Sequence, residues 1–324
     1  MIATRPMPAA IKVDNLHRYF GTLKAVDHVS FEVEPGQVVG FVGANGAGKT
    51  TTMRILATLD YPTGGRVEVM GRDVVNYPAE VRSSLGWMPD SFGTYEHMTV
   101  LEYLDFYGRA LGFRGPERHR RVAEVMDFTE LDKIGDRLVN KLSKGMGQRL
   151  CLGRALIHDP EVLILDEPAA GLDPKARVEL KHLIRILADE GKTILISSHI
   201  LSELGEMCDS LLFINAGKIV HHGTAESLTR TDSSVTIFDI RVAGDPEKLS
   251  DWCAMNPGVE VYEVRQKGAR VKIESEDETE IAGVLRRMVS GGLEVCEFHR
   301  EERKLEDAFI DLLGSLEGAP PELR

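Results

Sequence analysis

At 324 residues, with 43% hydrophobic and 28% charged side chains, the chain has room for two domains and an ordinary globular composition. No apolar run approaches the ~20 residues of a membrane-spanning helix, and residues 1–10 carry no evident secretory signal. Four scattered cysteines (Cys151, Cys208, Cys253, Cys296) suggest neither a disulfide framework nor a metal site, and the net charge of −12 opposes a protein held on nucleic acid by neutralising phosphates. Most of that charge lies in residues 231–324, with 21 acidic against 12 basic side chains.

Residues 1–10, with two prolines, read as a loose end. Alternating apolar and polar positions over 11–13 and 29–33 predict half-buried strands. Between them lie Tyr19, Phe20 and Gly21; an aromatic just upstream of a phosphate site has the shape to stack on a base. Pro35 and Gly36 turn the chain into an apolar strand over 38–42. There follows Gly43-Ala44-Asn45-Gly46-Ala47-Gly48-Lys49-Thr50, which fits the phosphate loop G-x-x-x-x-G-K-[ST]. Its glycines let the backbone approach phosphate oxygens with no Cβ in the way. The loop N–H groups and the positive end of the next helix then form an anion nest. Lys49 offers a cation to the β- and γ-phosphates, and the Thr50 hydroxyl is a ligand for Mg²⁺. Met53, Leu56 and Ala57 recur at helical spacing just beyond, so strand, loop and helix together predict binding of a nucleoside triphosphate.

Pro62, Thr63, Gly64 and Gly65 turn the chain into a strand over 66–70, and a short apolar run over 85–88 stops at Pro89 and Asp90. Thr99 with Glu102 three residues later is a capping box, and Leu101, Leu104 and Ala110 are predicted to share the helix's apolar face. More helix is predicted over 117–128, making residues 91–142 a helical insertion in an α/β core. That core resumes with a strand over 161–168, apolar until it reaches Asp166 and Glu167. Carboxylates at a strand's carboxyl end suit two tasks: Asp166 to hold Mg²⁺, and Glu167, pointing the other way, to activate water as a general base. The run over 192–199 is a further buried strand ending in His199, placed to reach a γ-phosphate or orient Glu167.

In this order the motifs resemble the ATP-binding subunits of ABC transporters. Leu142-Ser143-Lys144-Gly145-Met146-Gly147-Gln148-Arg149 is similar to that family's signature, with a helix over 150–158 behind it. Ala170-Gly171-Leu172-Asp173 resembles the loop that crosses the dimer interface, and His199 the switch histidine. The resemblance covers about residues 11–223. It implies a P-loop NTPase core over 11–228, with a helical subdomain at about 91–158 and a small antiparallel β region. It also implies a head-to-tail homodimer with ATP and Mg²⁺ between one copy's phosphate loop and the other's signature. Phe20, with Tyr19 as alternative, would stack on adenine. Gly43, Ala44, Asn45, Gly46, Ala47, Gly48, Lys49, Thr50 and Thr51 would hold the phosphates, and Ser143 with the Gly145 N–H would bind the γ-phosphate across the interface. Thr50, Asp90 and Asp166 would hold the metal, Glu167 and His199 would carry hydrolysis, and Asp173 would couple the two sites.

Three positions depart from the family pattern. Lys144 and Met146 replace the first glycine and the glutamine of L-S-G-G-Q, a variant that resembles type-2 exporters. Asp90 stands where a glutamine is usual, adding a carboxylate near Asp166 and Glu167. Ala169 replaces a hydroxyl residue after the Glu-Pro pair.

Beyond a polar linker at 229–234, the pattern over 235–298 reads strand, helix, strand, strand, helix, strand, a ferredoxin-like order. A last amphipathic helix presents Leu305, Phe309 and Leu312, closing an accessory domain over 235–315 before a tail at 316–324. Similar small acidic appendages follow the ATPase domain in type-2 exporters, and a regulatory or dimer-stabilising role is expected. The resemblance implies an ATPase on the cytoplasmic face of a membrane, powering a separately encoded integral membrane permease for export, with no nucleic acid bound. The alternatives are an ABC ATPase acting on ribosomes or nucleic acid, and a scaffold that no longer hydrolyses. Members of the former usually carry a second ATPase domain or a long coiled-coil insertion; intact Lys49, Asp166, Glu167 and His199 oppose the latter.

Overall fold

A computed structural model describes residues 8–91, 93, 95, 97–205, 207–229, 236–275, 277–300, 305, 308 and 309. Strands β1 (Ile11–Phe20) and β2 (Leu23–Val33) form an antiparallel hairpin, with Ile11, Val13 and Leu16 inward and Lys12 and Asp14 outward. Ala10 belongs to this core and not to a loose end: it is 1% exposed, and its N–H donates to the Val33 carbonyl. Strand β3 (Val38–Val42) is buried at every residue and leads through the phosphate loop into helix α1 (Lys49–Leu56). Next come β4 (Gly64–Val69) and β5 (Arg72–Asp73), which complete an antiparallel sheet of order β2-β1-β4-β5. Helix α2 (Pro78–Ser84) then delivers β6 (Leu85–Met88).

The helical insertion holds α3 (Val100–Ala110) and α4 (Gly115–Phe128), followed by α5 (Lys144–Leu156). Thr99 and Glu102 make the reciprocal capping box that their spacing predicts. The buried face of α3 differs from expectation. It is Val100, Tyr103, Leu104 and Gly108, whereas Leu101 is 45% exposed. The cap starts the helix at Val100, and the i, i+3, i+4, i+8 series from that residue defines the inner stripe. Helix α5 also begins earlier than its apolar residues suggest, because Ser143 caps it and draws the signature glycines into the first turns.

Strand β7 (Val162–Leu165), helix α6 (Pro174–Asp189), strand β8 (Thr193–Ser198), helix α7 (Leu201–Gly205) and strands β9 (Ser210–Asn215) and β10 (Lys218–Gly223) complete the first unit. The central sheet has order β10-β9-β3-β8-β7-β6, parallel except for the β9–β10 hairpin. Strands β3, β7 and β8 are buried along their whole length, the pattern of a sheet covered on both faces.

The chain divides into two compact units, Met1–Ala225 and Glu226–Arg324. After the short α8 (Ala225–Thr229), the second holds β11 (Thr236–Val242), α9 (Glu247–Ala254), β12 (Val259–Arg265), β13 (Gly268–Ile273), α10 (Glu278–Ser290) and β14 (Val295–Arg300). Its sheet, of order β12-β13-β11-β14, is wholly antiparallel. Leu249 and Cys253 of α9 and Ile281, Val284 and Met288 of α10 close one core with Phe238, Ile240, Val271 and Ile273 of that sheet. The linker predicted at 229–234 and the last amphipathic helix lie mostly outside the described residues.

Candidate active site

Strand register places the loops of the site. β3 runs parallel to β8 with Val42 opposite Ser198, and Leu165 of β7 is opposite both Ile196 and Met88. The phosphate loop, Asp166 and Glu167, His199 and Asp90 therefore leave β3, β7, β8 and β6 along one carboxyl-end edge, where open α/β sheets bind ligands.

The loop is braced from beneath by the β9–β10 hairpin, which the sequence pattern alone did not reveal. A Cβ on Gly43 would lie 2.4 Å from the Ile214 carbonyl oxygen, and one on Gly48 (φ 110°) 2.5 Å from that of Ala25, so both positions demand glycine. The Gly217 N–H donates to the Ala47 carbonyl at 2.9 Å. Ala44, Asn45, Gly46 and Thr50 stay exposed on the open side, with Thr51 half-buried behind them. Lys49 is 5% exposed, and its Nζ donates to the Gly43 and Ala44 carbonyls at 2.6 and 3.4 Å. The same ammonium lies 3.6 Å from Glu167 Oε1. This buried cation, held by carbonyls and one carboxylate, has exchangeable partners for an incoming anion.

Asp166 is 2% exposed and accepts a hydrogen bond from Ser197 Oγ at 2.7 Å. Burial pushes its carboxyl above the usual carboxylate range, against hydrogen bonds from Ser197 and Thr50, and the neighbouring Glu167 and Asp90 push it further the same way. Thr50 and Asp90 thus each lie close enough to act on Asp166, and all three offer hard oxygen donors. That donor set, short of positive charge, fits Mg²⁺ better than a soft metal.

Glu167 sits after β7 has ended, in a left-handed conformation (φ 48°). Its direction comes from this turn and not from strand alternation, which corrects the sequence expectation. The turn is held by the Glu167 N–H donating to Ser197 Oγ at 2.8 Å, while Oε2 accepts from His199 Nδ1 at 2.8 Å. Oε1 is buried without a hydrogen-bond partner, facing the Lys49 ammonium, and keeps acceptor capacity that a bound water would use. Ser197 therefore binds both carboxylate residues. Sequence reasoning missed it, although a hydroxyl ending an otherwise apolar strand was the available signal.

Ser143, Gly145 and Asp173 belong to a second cluster, where α5 and α6 begin side by side. Ser143 Oγ accepts from the Met146 N–H at 3.3 Å, and Asp173 Oδ1 from the Ala176 N–H at 2.9 Å. A Cβ on Gly145 would lie 3.0 Å from that of Ala176, so small residues let the two helix starts meet. At the end of β1, Phe20 is 47% exposed with the Arg18 guanidinium 4.2 Å from its ring centroid. Tyr19 is partly buried, with its hydroxyl donating to Asp27 Oδ1 at 2.6 Å, so Phe20 is the more exposed of the two rings.

The chain resembles known proteins over most of its length. Residues 26–170 match the family model described as ABC transporter. The chain is 35% identical to the bacitracin transport ATP-binding protein BcrA of Bacillus licheniformis, over 95% of this chain and 98% of that one. It is 37% identical to the Nod factor export ATP-binding protein I of Burkholderia lata, over 76% of this chain and 81% of the relative. Among solved structures, a dimeric bacterial ABC transporter cassette matches with a TM-score of 0.61 at 25% identity, over 66% of this chain and 98% of the other.

Proposed function

The chain belongs to the ABC transporter family of ATP-binding proteins, and from that premise we propose that it is the ATP-hydrolysing subunit that powers a separately encoded membrane permease in the export direction. The observation that carries this reading is the meeting of Lys49, Asp166, Glu167 and His199 at one edge of the sheet. Lys49 exchanges the Gly43 and Ala44 carbonyls for β- and γ-phosphate oxygens of ATP, and the loop N–H groups complete the cradle. Thr50, Asp166 and Asp90 would hold Mg²⁺, which would supply positive charge to the phosphates. Water attacks the γ-phosphorus, Glu167 Oε1 takes its proton, and ADP and phosphate leave. His199 holds the Glu167 carboxylate in position through Oε2.

Phe20 stacks on the adenine, being 47% exposed where Tyr19 is partly buried with its hydroxyl bonded to Asp27. Ser143 and Gly145 of a second copy bind the γ-phosphate from the start of α5, where N–H groups and the helix dipole attract anions, and Asp173 links the two sites. The dimeric state of the matching cassette supports this arrangement. The names of the two relatives, one for transport and one for export, support a transport role; among the described residues no helix is long and apolar enough to cross a membrane. The antiparallel order β12-β13-β11-β14 supports reading the second unit as a ferredoxin-like domain over about residues 235–315, and we assign it the role of steadying the dimer.

The test uses tagged Glu167→Gln protein with Mg-ATP, isolated from detergent-solubilised native cells. Hydrolysis should fall by at least about 100-fold with ATP still bound, and a polytopic membrane protein should co-purify. Ribosomes or nucleic acid recovered without any membrane protein would sink the transport reading.

A further inference from the structure

We propose that His17, Asp27 and His28 form a binding site for a divalent transition-metal ion of Zn²⁺ type on the β1–β2 hairpin. The three side chains offer donor atoms that all lie within 4.8 Å of one another. Strand pairing explains why they meet. Leu16 is opposite Val29 and Arg18 opposite Val26, so one residue of β1, His17, faces two of β2, Asp27 and His28. This is a β-bulge, a feature that gathers or re-aims side chains. His28 takes the extra place in a left-handed conformation (φ 57°) and carries its Nδ1 to 2.8 Å from Asp27 Oδ1. His17 Nδ1 is 3.9 Å from the same oxygen. Space for the His17 ring is kept by Gly64, where a Cβ would lie 3.2 Å from its Cδ2.

The surrounding hydrogen bonds orient the donors. Asp27 Oδ1 accepts the Tyr19 hydroxyl at 2.6 Å, and Lys24 Nζ donates to Asp27 Oδ2 at 3.3 Å. His17 Nδ1 accepts the His28 backbone N–H at 3.3 Å and lies 3.2 Å from the Tyr19 hydroxyl, contacts that an ion bound at that nitrogen replaces. Two imidazoles and one carboxylate are an established zinc donor set, leaving a further position for water. Here His28 is exposed, so solvent reaches the site from its side. Tetrahedral ligands at ~2.1 Å from a metal stand roughly 3.4 Å apart, and the separations of 2.8 and 3.9 Å bracket that value. The cation that now balances Asp27 is Lys24 Nζ at 3.3 Å, on a side chain 60% exposed that an entering ion can displace into water. The site lies on the strand that ends in Phe20, so a bound ion ties together the two strands that present that ring.

The experiment is calorimetric titration of ZnCl₂ into the chelator-treated, nucleotide-free full chain, carrying Cys296→Ser to remove an exposed competing thiol. The expected result is one ion per chain, with affinity at least tenfold weaker in His17→Asn and in His28→Asn. Asparagine tolerates the left-handed backbone at position 28, and neither histidine touches the nucleotide site, so both variants should keep their metal-free ATPase rate. Absence of saturable binding in the parent, or equal affinity in parent and both variants, overturns the proposal.

Discussion

The single side chain that most depends on its neighbours is Glu167, whose carboxylate is held by His199 on one oxygen and faces the Lys49 ammonium at 3.6 Å with the other. Replacing His199 with alanine should lower the turnover number about tenfold or more while changing ATP affinity less than twofold, because the positioning bond acts on the base and not on nucleotide binding. Measured turnover and nucleotide affinity separate the two effects. Away from the site, His158 joins the end of α5 to β6 through Nε2, 3.0 Å from the Leu85 carbonyl. Burial lowers its pKa below the usual histidine value, against that hydrogen bond. The folded chain thus resists protonation that the unfolded chain accepts, so stability is full above about pH 6.5 and declines as pH falls below it. A His158→Leu variant should show a shallower fall in unfolding midpoint between about pH 7 and 5 than the parent. Residue types and spacings exposed Lys49, Asp166, Glu167 and His199 in the sequence. The polar end of β8 marked Ser197, but its bracing role stayed hidden because its partners, Asp166 and Glu167, lie about 30 residues away in sequence.

Among the elements, those with strong local signals were legible. The capping box of α3 is one, since Thr99 and Glu102 satisfy each other's backbone within four residues. Thr99→Ala should cost about 1 kcal/mol locally and speed hydrogen exchange of amides 100–102 about fivefold, whereas Thr99→Ser should leave it nearly unchanged. The buried strands β3, β7 and β8 were legible too, as apolar runs too short for buried helices. Less legible were α6, whose start is set by the Asp173 cap and Pro174, and the β9–β10 hairpin. That hairpin carries Gly217 against Ala47, a contact between residues 170 positions apart that no local pattern encodes.

For the molecule as a whole, the division near Ala225 has an experimental consequence. The first unit holds all the proposed catalytic side chains, and its core residues do not depend on the cluster formed by Phe238, Ile240 and Val271. A chain ending at residue 229 should therefore retain ATP binding within about threefold of the parent, as expected for domains with separate cores. With Glu167→Gln and Mg-ATP, it should form the dimer less readily by sedimentation if the second unit steadies that dimer. Unchanged dimerisation would make the second unit a bystander in this step.

The sequence by itself determined the phosphate loop, the carboxylate pair, the order of the motifs and the family they resemble, because backbone approach to phosphate and buried strands impose residue types at short, fixed spacings. Tertiary structure alone decided which loops share an edge, since parallel register brings Val42 beside Ser198 and Leu165 beside Met88 across long stretches of chain. It also decided the direction of Glu167, through a left-handed turn pinned by Ser197, and the meeting of His17, Asp27 and His28 at a bulge. Such features arise from pairings between distant segments, and their energy is distributed over contacts that no single stretch contains.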